Sequence, residues 1–157
     1  MKETYGKRSI ILSACFIALC FGALTLELCW LPGIVDTVIC IADQLGDPEH
    51  IGSVVRTLIL TDAYLISAVA FAAIALLSLL LCVVWQGKVF TRTAVRLLKG
   101  LSWCCFLETL LFGLLTMQFI IAIFVALCAA LLGLLLRVVT HVIEEGTRIK
   151  SENDYTI

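Results

Sequence analysis

Three carboxylic acids, Glu27, Asp62 and Glu108, interrupt long apolar segments of the chain. An ionised side chain at the centre of a bilayer costs about 2.5 to 3.5 kcal/mol even on the mildest insertion scale. Counted along a helix from Ser9, Glu27 lies roughly 27 Å away, near one edge of a membrane, where Asp62 begins the next apolar segment. Two carboxylates at that depth would bind a cation or share a proton. Hydration of both at the interface is the simpler interpretation.

Glu108 has a different position, only about 12 Å along its helix from Gly100 and therefore close to the bilayer centre. Apart from Arg137 near the end of the fourth segment, no Lys or Arg lies within the apolar segments to neutralise it, so we expect a protonated side chain. As a neutral acid it would hydrogen-bond to Ser67, Ser78 or a backbone carbonyl and link two helices. A proton or ligand site is the alternative.

The sequence carries no motif typical of a metal site, a cofactor site or an enzyme. Most of the eight cysteines lie in apolar segments, no C-x-x-C pair occurs, and His50 and His141 are far apart. Paired aspartates, H-E-x-x-H and a Ser/His pairing are also missing from the apolar segments. We therefore expect no catalytic residue, no cofactor and no metal. A disulfide between Cys29 and Cys40 stays open.

Membrane-spanning helices are the elements that must position these residues. Of 157 residues, 62% are hydrophobic and only 15% charged, against roughly a quarter charged in soluble domains. Four apolar segments reach the roughly 17 residues that a spanning helix needs: 9–31, 58–85, 100–116 and 119–139. We predict one all-α integral membrane domain over 1–157, a four-transmembrane-helix bundle with a short amphipathic helix between spans two and three.

Breaker residues suggest where the helices end. Pro32-Gly33 is predicted to end the first span, because proline cannot continue a helix and glycine favours a turn. A tight turn near residues 116–118 should separate spans three and four. The fourth helix is expected to continue from Arg137 to Lys150, supported by an ion pair between Glu144 and Arg148.

Basic residues are distributed unevenly along the chain. Ten of the eleven Lys and Arg residues lie before the first span, in residues 86–99 or after Leu136, and only Arg56 lies elsewhere. Because cytoplasmic loops are rich in Lys and Arg, we expect both chain ends, the loop 86–99 and the tail 140–157 in the cytoplasm. The acidic loop 32–57 should face outward from a plasma membrane. A net charge of −1 predicts no direct nucleic-acid binding.

Two further patterns concern surfaces. In the loop 86–99 all charged residues are basic, Thr91 fits the N-cap of a short helix, and its apolar residues lie to one side. Such a helix would lie on anionic lipid headgroups of the bilayer. Small residues recur at every fourth position from Ala14 to Gly22 and from Ala122 to Ala130. Packing within the bundle is the preferred interpretation of these rows, and a homo-oligomer the alternative.

Two polar segments carry a resemblance. They are Gly87-Lys88-Val89-Phe90-Thr91 with Leu98-Lys99, and the tail with Glu144-Glu145 and Ile149-Lys150-Ser151-Glu152-Asn153-Asp154-Tyr155-Thr156-Ile157. In order and spacing they resemble a bacterial four-span membrane-protein family, domain-of-unknown-function family 2975. The resemblance implies no enzyme activity and no substrate. It also implies a neighbour, because relatives are often encoded beside a small helix-turn-helix regulator.

Two functions are therefore open. The first is a regulatory or interaction protein that docks a cytoplasmic partner through the basic loop and the tail. Its candidate docking residues are Lys88, Phe90, Arg92, Arg96, Lys99, Glu152, Asn153 and Asp154. The alternative is a small proton- or ion-coupled transporter, or an immunity-type membrane protein, that uses Glu108 with Glu27 and Asp62 as further acids.

Overall fold

The chain folds into four α-helices. The computed structural model describes residues 2–45, 53–87, 91–117 and 119–154, and within them the side chains of 11–41, 54–87, 91–117, 119–149 and Glu152. The helices are α1 (Lys2–Leu45), α2 (Ser53–Trp85), α3 (Arg92–Leu115) and α4 (Ala122–Asp154). No strand occurs within the described ranges. The predicted all-α class is confirmed.

Each helix contains a segment long and apolar enough to cross a bilayer. The segments are Ile11–Ile41, Val54–Trp85, Arg92–Leu115 and Ala122–Ile149. The shortest has 24 residues, about 36 Å at 1.5 Å per residue, which exceeds the roughly 30 Å of the hydrocarbon core. Large apolar side chains such as Leu19 and Phe124, 68% and 69% exposed, lie outside the helix contacts and suit a lipid environment. The protein is a multi-pass membrane protein.

α1 does not end at Pro32, so the sequence prediction is wrong at this point. The helix continues through Pro32 and Gly33 to Leu45. Membrane helices tolerate proline where neighbouring helices and Ser/Thr side chains satisfy the freed backbone groups. Here Leu31 and Val35, on either side of Pro32, are buried at 5% and 6% exposure, so packing holds the helix through this position. The predicted outer loop is shortened to the residues between α1 and α2.

The continuous helix also decides the question of a disulfide. Cys29 and Cys40 both lie on α1, about 16 Å apart along its axis. A disulfide requires Cα atoms within about 7 Å. These two residues therefore cannot pair within one chain, and all eight cysteines are free thiols.

α3 begins where the sequence predicts a helix start. Thr91 has extended backbone, φ −133° and ψ 152°, and its side chain accepts a hydrogen bond from the Ala94 amide at 3.3 Å, so the predicted N-cap is confirmed. The helix then runs without a break past Gly100 to Leu115. Gly100 lies against Leu76 of α2, and this packing offsets its low helix propensity. The amphipathic segment is thus the first turns of α3 rather than a separate helix.

The helices pack antiparallel and in chain order. Over the described residues α1 contacts α2, α2 contacts α3 and α3 contacts α4, and no other pair of helices is in contact. Between α1 and α2, Arg56 forms a bidentate ion pair with Asp36 at 2.6 Å and 3.0 Å. The rings of Phe21 and Phe71 meet edge to face, with centroids 5.3 Å apart. The closest packing of each helix is therefore with its neighbours in the chain.

The two rows of small residues have different surroundings. On α4, Ala122 and Ala126 are buried, and a Cβ atom added to Gly133 would lie 3.2 Å from Cys105 Cβ of α3. The α4 row packs within the bundle, as predicted. On α1 the row from Ala14 to Gly22 is exposed, so it lies outside the contacts of a single chain.

Candidate docking surface and adjoining groove

The first turns of α3 separate an apolar face from a basic face. Exposed cations lie at Arg92, Arg96 and Lys99. Residues three and four apart lie on one side of a helix, so these three form one strip. The opposite face is buried, with at most 6% of each residue exposed, at Ala94, Val95 and Leu98. The apolar face holds α3 in the bundle and leaves the basic strip outside.

An ion pair connects this strip to the end of α4. Lys99 Nζ lies 2.9 Å from Glu144 Oε1, and the two side chains are 52% and 50% exposed. α3 begins seven residues before Lys99, and α4 continues ten residues beyond Glu144. Two polar segments that are distant in sequence therefore lie side by side.

The end of α4 carries its own line of charges. Arg148 lies 2.6 Å from Glu145 and 3.7 Å from Glu152. The predicted pair of Glu144 with Arg148 is wrong, because Glu144 pairs with Lys99 of the neighbouring helix. The helix itself extends past its predicted end, and its polar segment remains ordered as a helix.

We refer to the strip and the end of α4 together as the polar-edge surface, which comprises Arg92, Arg96, Lys99 and residues 144–154. It contains most of the docking residues predicted from the sequence. Two of the predicted docking residues, Lys88 and Phe90, lie outside the described residues. Asn153 and Asp154 belong to α4, but their side chains lie outside the described part of the chain.

A groove of about 960 Å³ opens between α3 and α4 beside the polar-edge surface. The guanidinium carbon of Arg137 lies 5.9 Å from the ring centre of Trp103 and 5.8 Å from that of Phe106. Ser102 Oγ donates to the Gly133 carbonyl at 3.0 Å and fixes the register of the two helices. The groove thus presents one cation held against two aromatic rings.

The groove is not evident from the sequence. The spacing of Trp103 and Phe106, three residues apart, places both on one side of α3, and Arg137 is the first charged residue after the apolar run of α4. These two features are the sequence signals that point to the groove. Which α4 residue faces the two rings depends on the register between the helices, and that register is set by contacts such as the one at Gly133.

Glu27 and Asp62 lie at similar depths, as predicted, but face different neighbours. The α1–α2 contacts place Glu27 level with Leu65 of α2. Along the axis of α2, Leu65 lies three residues, or about 4.5 Å, from Asp62. Asp62 lies in a small apolar cleft bordered by α2 and by the end of α3. Glu27 is exposed on α1 and does not line that cleft.

Glu108 is partly buried on α3. The predicted hydrogen bonds to Ser67 and Ser78 are not formed among the described side chains. Those hydroxyls donate to carbonyls of their own helix, at Ala63 and Ile74, over 3.0 Å and 2.8 Å. Within the described residues no group of three His, Cys, Asp or Glu side chains is placed to hold a metal ion.

Fold and surfaces together define a four-helix, multi-pass membrane protein with one strongly polar edge. The model of a family described as "Protein of unknown function (DUF2975)" matches residues 9–157. The chain belongs to this family, which confirms the resemblance noted in its sequence. No curated protein and no solved structure matches the chain.

Proposed function

We propose that this protein is a regulatory or interaction protein of the cell membrane that docks a cytoplasmic protein on its polar-edge surface. The observation that carries the proposal is the 2.9 Å ion pair of Lys99 with Glu144. It joins the basic start of α3 and the charged end of α4 into one surface. Two adjacent helix segments offer a continuous area to a partner, and arginine is enriched in protein interfaces.

The distribution of basic residues supports a cytoplasmic position for this surface. Ten of the eleven Lys and Arg residues belong to the chain ends or to the connection between α2 and α3 with the start of α3. Because the helices are antiparallel, these regions share one side of the membrane. In a plasma membrane, the side rich in Lys and Arg is the cytoplasmic side.

The partner that we favour is a small helix-turn-helix regulator, the neighbour implied by membership in this family. The strip Arg92, Arg96 and Lys99 would meet an acidic patch on that protein, because complementary charge selects partners and accelerates association. Docking would hold the regulator at the membrane, and release would return it to DNA. In this proposal the membrane protein itself needs no catalytic step and no contact with nucleic acid.

Co-purification of a co-expressed regulator with the detergent-solubilised protein tests this proposal. Removal of residues 151–157 and the double substitution Arg92→Glu/Arg96→Glu should each lower recovery, the double substitution by at least roughly tenfold because it places like charges together. Arg56→Gln removes a cation from the opposite edge and serves as the control. Unchanged recovery in both polar-edge variants would contradict the proposal.

A small proton- or ion-coupled transporter, or an immunity-type membrane protein, is the second candidate. It is favoured by the position of Glu108, which is partly buried on α3 within the membrane-spanning segment Arg92–Leu115. Glu108→Gln should abolish a proton-linked flux in vesicles and leave folding intact. Glu152→Gln, at the polar edge, should leave that flux unchanged. If Glu108→Gln prevents folding, its role is structural.

A further inference from the structure

We propose that the groove between α3 and α4 binds an anionic phospholipid, with the lipid phosphate at Arg137 and an acyl chain along the apolar wall. This site adjoins the polar-edge surface and does not depend on a protein partner. Four features of the groove carry the proposal: the absence of a carboxylate partner for Arg137 among the described residues, the available donors of Arg137, its depth and the apolar wall.

The groove is lined by two acids, Glu144 and Glu145, and both are already paired. Glu144 is bound to Lys99 at 2.9 Å, and Glu145 to Arg148 at 2.6 Å. Arg137 has no carboxylate within 4.0 Å among the described residues, and its contacts are the two aromatic rings. The groove therefore has one uncompensated cation that an anionic group would neutralise.

The aromatic contacts leave the hydrogen-bond donors of Arg137 available. A guanidinium group that interacts with ring faces keeps its five N–H donors in its own plane. Two of those donors can bind a phosphate in bidentate geometry. Trp103 and Phe106 thus hold Arg137 against the wall of the groove without occupying the groups that would bind the lipid phosphate.

The side chain of Arg137 can extend toward the phospholipid headgroups. The uncharged run of α4 from Ala122 to Leu136 is about 22 Å long, against roughly 30 Å for the hydrocarbon core. Arg137 therefore lies near the far side of the core, from which long basic side chains extend to the interface. The adjacent wall residues face outward, with exposures of 66% for Trp103, 53% for Leu134 and 64% for Val138. An acyl chain of the surrounding bilayer can therefore cover them.

Fluorescence quenching of Trp103 by brominated lipids tests the site. The chain has three tryptophans, and Trp30 and Trp85 are 73% and 70% exposed, so both are replaced by phenylalanine. The protein is reconstituted in vesicles that contain equal fractions of brominated phosphatidylglycerol or brominated phosphatidylcholine. We expect quenching to report about fivefold tighter association of the anionic lipid.

Variants assign that preference to Arg137. Arg137→Gln should remove the preference, whereas Arg92→Gln, which removes a cation outside the groove, should keep it; circular dichroism checks that each variant is helical. Equal quenching by the two lipids in the protein with Arg137 intact would overturn the proposal without reliance on any variant. An equal loss of the lipid preference in Arg137→Gln and Arg92→Gln would also overturn the proposal. That result would mean that general surface charge, and not the groove, causes the preference.

Discussion

At the scale of single residues, the ion pair of Lys99 with Glu144 connects the two polar segments. Both side chains are about half exposed, and an exposed ion pair contributes only about 0.2 to 1 kcal/mol to stability. The α3–α4 interface is also held by the buried hydrogen bond from Ser102 to the Gly133 carbonyl. The main consequence of the ion pair is therefore the alignment of two charged helix segments.

Charge reversal at this pair gives the first prediction. Glu144→Lys alone places two cations together and should lower the free energy of unfolding by about 0.5 to 1 kcal/mol. The double substitution Lys99→Glu/Glu144→Lys restores opposite charges and should recover most of that loss. Thermal unfolding in detergent measures both variants. A double variant that is as unstable as the single one would indicate that the two side chains do not interact.

At the scale of elements, the close approach of α3 and α4 depends on Gly133. A Cβ atom at this position would lie 3.2 Å from Cys105 Cβ and 3.6 Å from the ring of Phe106. Small residues at such points allow the backbones of membrane helices to pack tightly. A larger side chain must push the two helices apart.

Substitution of Gly133 gives the second prediction. Gly133→Leu should destabilise the protein by about 1 to 3 kcal/mol, because overpacking forces backbone shifts at the α3–α4 interface. Gly113→Leu is the matched control, since a Cβ atom at Gly113 meets nothing within 4 Å. Unfolding midpoints in detergent compare the two variants. Equal midpoints would contradict a close contact at Gly133.

Element boundaries could be predicted from the sequence only in part. Thr91 was identifiable as an N-cap because capping depends on local residue types. Pro32 suggested a helix end by the same local logic, yet it lies inside α1. Packing against a neighbouring helix outweighs local propensity there. Contacts between helices, such as Lys99 with Glu144, depend on a register that residue types do not reveal.

At the scale of the whole molecule, the number of spans was the most predictable feature. Four apolar segments of sufficient length give four helices, because backbone groups in lipid must be satisfied within each helix. Which helices pack against each other could not be predicted, since the helix faces toward lipid and the helix faces toward protein have similar apolar composition. The groove at Arg137 was not predicted because it depends on the register between α3 and α4. The exposed α1 row leaves a homo-oligomer as a prediction.

Membrane orientation gives the third prediction. Green fluorescent protein fused after Ile157 should fluoresce, because the positive charges around it retain this side in the cytoplasm. Alkaline phosphatase inserted between α1 and α2 should be active, since that connection has few basic residues and faces outward. Active phosphatase after Ile157 would reverse the orientation and remove the polar-edge surface from the cytoplasm.

Photo-crosslinking in cells tests most directly whether the two polar segments form one docking surface. A photoreactive amino acid is placed at Arg96 on α3 and, in a separate variant, at Glu152 on α4, with Arg56 at the opposite edge as the control position. We predict that Arg96 and Glu152 capture the same cytoplasmic protein and that Arg56 does not. Capture of different proteins from the two positions, or of none from either, would contradict a shared docking surface.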